Sequence, residues 1–122
     1  MSHEILVKEA IRSQEVFKNL EKHLETIKQT VKEIDSKAEI YLFGSVAEKT
    51  YTYSSDIDIL IITKANPSQI HLKLWKAGIK PPFEIHVQPP EKLNIYKKKA
   101  KLIKYNNTWN RRQVNLSHEP EQ

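Results

Sequence analysis

The sequence predicts an α/β (α+β) domain, a small mixed β-sheet covered by helices. Three observations predict it. Residues 3–36 carry a helical seam with no Gly or Pro. Two short apolar runs, 40–43 and 57–62, are β-branched and bounded by turn residues, which suits buried strands. Residues 83–87 alternate Phe83, Ile85 and Val87 with Glu84 and His86, the two-residue period of a strand.

The elements follow in order. The seam uses Leu6, Ala10, Phe17, Leu20, Leu24, Ile27, Val31 and Ile34, in steps of three and four, with Ser13 filling one gap. An unbroken helix here would be about 50 Å long at 1.5 Å per residue. That exceeds a small sheet. The expectation is therefore a bend near Ser13-Gln14, or a first half that projects to meet another chain through Ile5, Leu6 and Ala10. Ile40 to Phe43 form a strand, which Gly44-Ser45 break. Val46-Ala47-Glu48 can form a helical turn. After a polar stretch, Asp56-Ile57-Asp58 enters a second strand running to Ile62. Asn66-Pro67-Ser68 opens a helix with Ile70, Leu74 and Ala77 on its apolar side, and Gly78 ends it. Pro81-Pro82 precede the strand 83–87. Pro89-Pro90 close that strand and open a third helix over roughly 91–105, with Leu93, Tyr96, Ala100 and Ile103 on one face. The organisation is one domain, 1–105, with a polar tail over 106–122.

Composition narrows the classes. A chain of 122 residues suits one domain and one modest core. The absence of cysteine excludes disulfides and thiolate metal sites. No run approaches a membrane span or a signal peptide, so the expectation is a soluble, cytoplasmic protein with no membrane partner. The net charge is +5, yet residues 92–112 hold eight Lys/Arg and no acid. A basic segment therefore sits on a slightly acidic body.

The chemistry-bearing stretch is 40–63. Asp56 and Asp58, one residue apart in an extended segment, are predicted to point to the same face, while Ile57 and Ile59 point into the core. Two like charges side by side cost stability unless a cation lies between them. Gly44-Ser45 sits ten residues upstream. Backbone N–H groups at such a turn make an anion site, Gly permits close approach of a phosphate, and Ser45 adds a hydroxyl. Carboxylates bind Mg²⁺ while leaving positions for phosphate oxygens. Glu84 is a third acid. With its strand beside the Asp strand, Asp56, Asp58 and Glu84 can hold two metals about 3.5–4 Å apart, the arrangement for in-line phosphoryl or nucleotidyl transfer. In that scheme Asp56 and Asp58 hold the nucleotide's metal. Glu84 helps hold a second metal and takes the acceptor hydroxyl's proton. Lys49 is a candidate contact for a triphosphate. Tyr51 and Tyr53 are candidates for stacking on a base, and His86 shares the Glu84 face and borders the site. His3, His23, His71 and His118 read as ordinary surface or helix-face histidines.

Gly44-Ser45, ten residues, Asp56-Ile57-Asp58 and a later strand carboxylate resemble the polymerase-β-like nucleotidyltransferase superfamily. The resemblance is strongest to the minimal nucleotidyltransferases, small stand-alone proteins often paired with HEPN-domain proteins, and it spans Ile40 to Val87. It implies the polymerase-β-like fold, a nucleoside triphosphate substrate (ATP as the expected one) and two Mg²⁺ ions. It also implies transfer of a nucleotidyl group, commonly AMP, to an acceptor hydroxyl. In antitoxin-like members of toxin–antitoxin pairs the acceptor is a tyrosine of the HEPN partner. This sequence departs from the pattern at Val46, where the family often has Arg, at Lys49, where Gly is common, and at Glu84, where Asp is more usual. Two other function classes compete. One is nucleic-acid binding by the basic segment with Tyr96, Tyr105 and Trp109. The other is a catalytically silent regulator that keeps the fold to bind a partner or to form a homo-oligomer through the N-terminal helix.

Overall fold

The computed structural model describes residues 3–52 and 55–106. Tyr53, Trp109, His118 and the rest of the expected tail beyond Asn106 lie outside the described residues, as do the side chains of His3, Ile5 and Leu6. The elements are α1 (His3–Lys18), α2 (Leu20–Ile34), β1 (Glu39–Phe43), α3 (Gly44–Ala47), β2 (Ile57–Ile62), α4 (Pro67–Lys76), β3 (Phe83–Gln88), a 3₁₀ turn at Pro90–Lys92, α5 (Leu93–Lys99) and β4 (Ile103–Lys104). The four strands form one mixed sheet in the order β3-β2-β1-β4. β1 runs antiparallel to β2 and β4, and β2 runs parallel to β3.

The predicted seam does cover the sheet. Val16, Phe17, Leu20, Leu24, Ile27 and Val31 are buried against Ile40, Leu42, Ile57, Ile59 and Ile61. At about 25 cal/mol per Å² of apolar burial, this face supplies most of the driving force for folding. The seam is not one helix, however, and its break is not at Ser13-Gln14. It falls at Asn19, whose backbone leaves helical values (φ −111°, ψ 29°). The cause is local. Asn19 Nδ2 donates to the Glu15 carbonyl at 3.0 Å and to Glu15 Oε2 at 2.9 Å, so its side chain competes with the helical ladder. Nor does the first half stand away from its own domain. Arg12 Nε donates to the Pro81 carbonyl at 2.8 Å, which ties the middle of α1 to the segment before β3. Ala10, expected in the seam, is exposed, as are Val7 and Ile11.

α4 begins as its signals direct. Asn66 Oδ1 accepts from the Ser68 N–H at 2.8 Å, and Pro67 occupies the first turn. The expected helix over 91–105 needs correction. It stops at Lys99, where Ala100 turns extended, and Ile103 enters β4 instead. Ile103 fits a helical period equally well. The open edge of β1 decides the matter, because β4 pairs Ile103 with Leu42 and Lys104 with Tyr41. The adjacent Tyr105 donates its N–H to the Ile40 carbonyl at 2.8 Å and its hydroxyl to Glu25 at 2.7 Å. Burial of Ile103 and Tyr105 in the main core outweighs one further helical turn. On the opposite sheet face Tyr41, Leu60 and Ile62 are covered by Leu93, Tyr96 and Leu102. That second layer is short, and it leaves the end of the sheet near Phe43 open to a site.

Candidate active site

The site is built by strand register. In the parallel pair, Asp58 lies opposite Glu84 and Leu60 opposite His86. In the antiparallel pair, Asp58 lies opposite Phe43. Partners across a sheet share a face, so Phe43, Asp58, Glu84 and His86 emerge together, while Ile57, Ile59, Phe83 and Ile85 go to the core. The Ile57 N–H, bonded to the Pro82 carbonyl at 2.8 Å, fixes the start of β2 against the start of β3.

His86 Nε2 lies 3.6 Å from Asp58 Oδ1 and 3.4 Å from Glu84 Oε1. One donor atom from each of the three residues falls within 4.8 Å of the others. His86 Nε2 is buried and makes no hydrogen bond. Its ring packs edge-on against Phe43 at 5.1 Å, and Phe43 packs in turn against Tyr96 at 5.8 Å. The apolar wall on that side makes the charges costly. Burial first, and then the hydrogen bond and charge of Glu84, push the Asp58 carboxyl up to about 6, partly offset by His86. Glu84 is held below its ordinary value, chiefly by the hydrogen bond from Asp58. The two carboxyls therefore titrate as a pair, one pushed up and the other held down. A divalent cation would favour the ionised form of both.

Gly44 completes the geometry. It follows β1 with φ +75°, a region that favours glycine. A Cβ there would overlap Asp58 Oδ2 and lie 3.1 Å from Asp58 Cγ. The close approach of the turn to the acid requires the missing side chain. Ser45 is half-buried in the next position of α3, and its carbonyl is bound by the Thr50 N–H at 2.9 Å.

Comparison with known proteins places this geometry. A family model described as a nucleotidyltransferase domain matches residues 24–120. The chain belongs to the nucleotidyltransferase domain family. A crystal structure provisionally assigned as a nucleotidyltransferase is similar, with a TM-score of 0.55 and 30% identity over 69% of this chain and 98% of that one. A second provisional nucleotidyltransferase, from Sulfolobus solfataricus, gives a TM-score of 0.48 and 24% identity over 87% of this chain and 91% of that one. No curated protein matches.

Within this nucleotidyltransferase the expected site residues separate. Asp58 and Glu84 come together, with His86 as an immediate neighbour of both. Asp56 is not one of the three residues whose donor atoms converge, and it lies one residue before β2. Its exposed side chain borders a separate cavity with Arg12, Trp75 and Lys80. His86 was legible from its two-residue spacing to Glu84; its distances to both acids depend on a parallel register that periodicity does not specify. Tyr51 packs against Phe17, rings 5.1 Å apart and near parallel, and so serves the core rather than a base. Val46 is fully buried in the main core, which accounts for an apolar residue where Arg is common.

Lys49 is exposed with φ +63°, which explains why Gly is common there. A left-handed non-glycine residue costs about 1–2 kcal/mol, and glycine loses about 0.5–1 kcal/mol in chain entropy. Lys49→Gly is therefore expected to stabilise the fold by up to about 1 kcal/mol. Chemical denaturation of the two proteins at equal slope would show it; a clear loss of stability would mean that the Lys49 side chain holds the turn.

Proposed function

We propose that this nucleotidyltransferase moves a nucleotidyl group, AMP from ATP, to an acceptor hydroxyl with Mg²⁺. The observation that carries the reading is the opposed pair Asp58–Glu84 with a side-chain-free Gly44 against it. The residues fit divalent metal: two carboxyl groups opposite each other on adjacent strands, and an imidazole nitrogen 3.4 Å from one and 3.6 Å from the other. Asp58 and Glu84, with His86 beside them, would hold the Mg²⁺. Bound there, the metal supplies positive charge to the phosphate oxygens and acidifies the acceptor hydroxyl.

The chain's own groups do the rest. Gly44 lets the phosphates approach the backbone, Ser45 donates its hydroxyl to them, and Lys49 adds a cation at the triphosphate. Glu84, more than half exposed, takes the acceptor's proton. The acceptor oxygen bonds to the α-phosphorus as the bond to the bridging oxygen breaks, and pyrophosphate leaves with that electron pair. Phe43 and Tyr96 keep water from one side. Calorimetry with Mg-ATP is expected to give saturable binding to the wild type and at least about tenfold weaker binding to Glu84→Gln, the scale of one charged contact. Equal affinities would take Glu84 out of the site.

A second reading, in which the acceptor is a tyrosine on a helical partner of the HEPN kind, is favoured by α1. Val7 is 42% and Ile11 60% exposed, and Ala10 between them is exposed too. An apolar stripe left in water forgoes about 25 cal/mol per Å² of burial and invites association. Light scattering of the full chain and of a form beginning at Gln14, which keeps Val16 and Phe17, is expected to show association in the first and a stable monomer in the second. A monomer in both would assign no partner to this stripe.

A further inference from the structure

The cavity beside Asp56 has a chemistry of its own. It has a volume of about 450 Å³, within the range of small-ligand sites, and lies between α1, α4 and the segment before β3. Three kinds of group line it. Trp75 offers an indole that is 54% exposed. Lys80 Nζ sits 4.6 Å from that ring's centroid, which holds an ammonium at the cavity. Arg12 is anchored through Nε to the Pro81 carbonyl, and its Nη groups carry N–H donors that this bond does not use. Asp56, two residues before Asp58 in sequence, lines it as well.

A flat aromatic face, two cations and one carboxylate match the parts of a nucleotide. A base stacks on an indole, a phosphate takes guanidinium and ammonium, and a carboxylate accepts a hydrogen bond from a sugar hydroxyl. A purely anionic ligand would not want Asp56, and a purely apolar one would not want Arg12 and Lys80. We propose that this cavity is the acceptor subsite and takes a phosphorylated ribonucleoside, with Trp75 under the base, Arg12 and Lys80 at the phosphate and Asp56 at a ribose hydroxyl. The word acceptor rests on the nucleotidyl-transfer reading above. The pocket's ligand class rests on the cavity alone, and the two fail separately.

The test uses the full chain carrying Trp109→Phe, so that indole emission comes from Trp75. AMP is titrated with a chelator present, which removes metal from the Asp58–Glu84 pair. Saturable quenching is expected, weaker by about tenfold or more in Lys80→Gln and in Arg12→Gln, and weaker to a similar degree with adenosine, which lacks the phosphate. Lys80→Gln removes no contact to the backbone, so it remains decisive even where Arg12→Gln loosens α1. Mg-ATP binding by calorimetry is expected to be unchanged in Lys80→Gln. No quenching at millimolar AMP would overturn the proposal. So would quenching that survives both charge variants yet is lost in Asp58→Asn, since AMP would then occupy the donor side. Quenching by a tyrosine peptide and not by AMP would assign the pocket to a protein acceptor instead. AMP binding that depends on Arg12 and Lys80 in a protein that takes no Mg-ATP would overturn the acceptor role by removing the reaction itself.

Discussion

Gly44→Ala is expected to cost this nucleotidyltransferase metal binding and about 10²-fold or more in activity, because one ångström of misplacement at a reacting centre has that scale. The added methyl meets Asp58 in two ways. It overlaps Oδ2 and presses within 3.3 Å of the Asp58 Cβ, so the carboxylate must swing or the turn must move. Moving the turn is opposed by α3, whose Val46 and Ala47 are buried in the main core. Swinging the carboxylate takes it away from Glu84 and His86. The φ of +75° adds about 1–2 kcal/mol of backbone cost for any residue with a Cβ. Thermal melts and Mg-ATP calorimetry separate the two parts. A lower melting temperature is expected at every metal concentration, and Mg-ATP is expected to stabilise the wild type but not the variant. Retained binding with reduced stability would make Gly44 a turn glycine and no part of the site.

The same stretch shows what a sequence carries and what it withholds. Ile57 to Ile62 and the Phe83–Val87 alternation specify strands by local chemistry, so both were legible. That Asp58 faces Glu84 follows from pairing β2 with β3 in parallel, and no local pattern encodes that pairing. Asp56 shows the limit from the other side. Its spacing to Asp58 predicts a shared face, yet it lies one residue before the strand and outside the group formed by Asp58, Glu84 and His86. The break at Asn19 was hidden because Asn is merely neutral in a helical period, and its competing hydrogen bond appears only once Glu15 is placed beside it. Ile103 reads as helix in the sequence because a three- or four-residue period and a strand edge both accept it. The unpaired side of β1, remote in sequence, made the choice. Spacing thus singled out Gly44, Asp58 and Glu84, while topology decided which of the acids meet.

Asp58→Asn is expected to lower activity by about 10²–10³-fold, the scale of removing one group that stabilises developing charge, while leaving the metal-free fold as stable as the wild type or more so at neutral pH. The sign follows from the carboxyl itself. Its folded value, about 6, lies above its ordinary value of 3.8. The folded protein therefore holds this proton more tightly than the unfolded chain does. The stability it contributes is full below about 3.8 and is lost as pH rises through about 6. Glu84 acts in the opposite sense, being held below its ordinary value, so its contribution is present above that value and lost as the solution is made more acid. Between the two, metal-free wild type should lose stability from about pH 4 to pH 7 relative to Asp58→Asn, and the two curves should approach each other in acid. Adding Mg²⁺ should reverse the order at pH 7, because the wild-type pair gains a cation that the variant holds poorly. Scanning calorimetry at several pH values, with chelator and then with Mg²⁺, gives the whole set. A large loss of stability in metal-free Asp58→Asn at pH 7 would mean that the carboxylate holds the sheet together, and the case for a metal pair at Asp58 and Glu84 would fall with it.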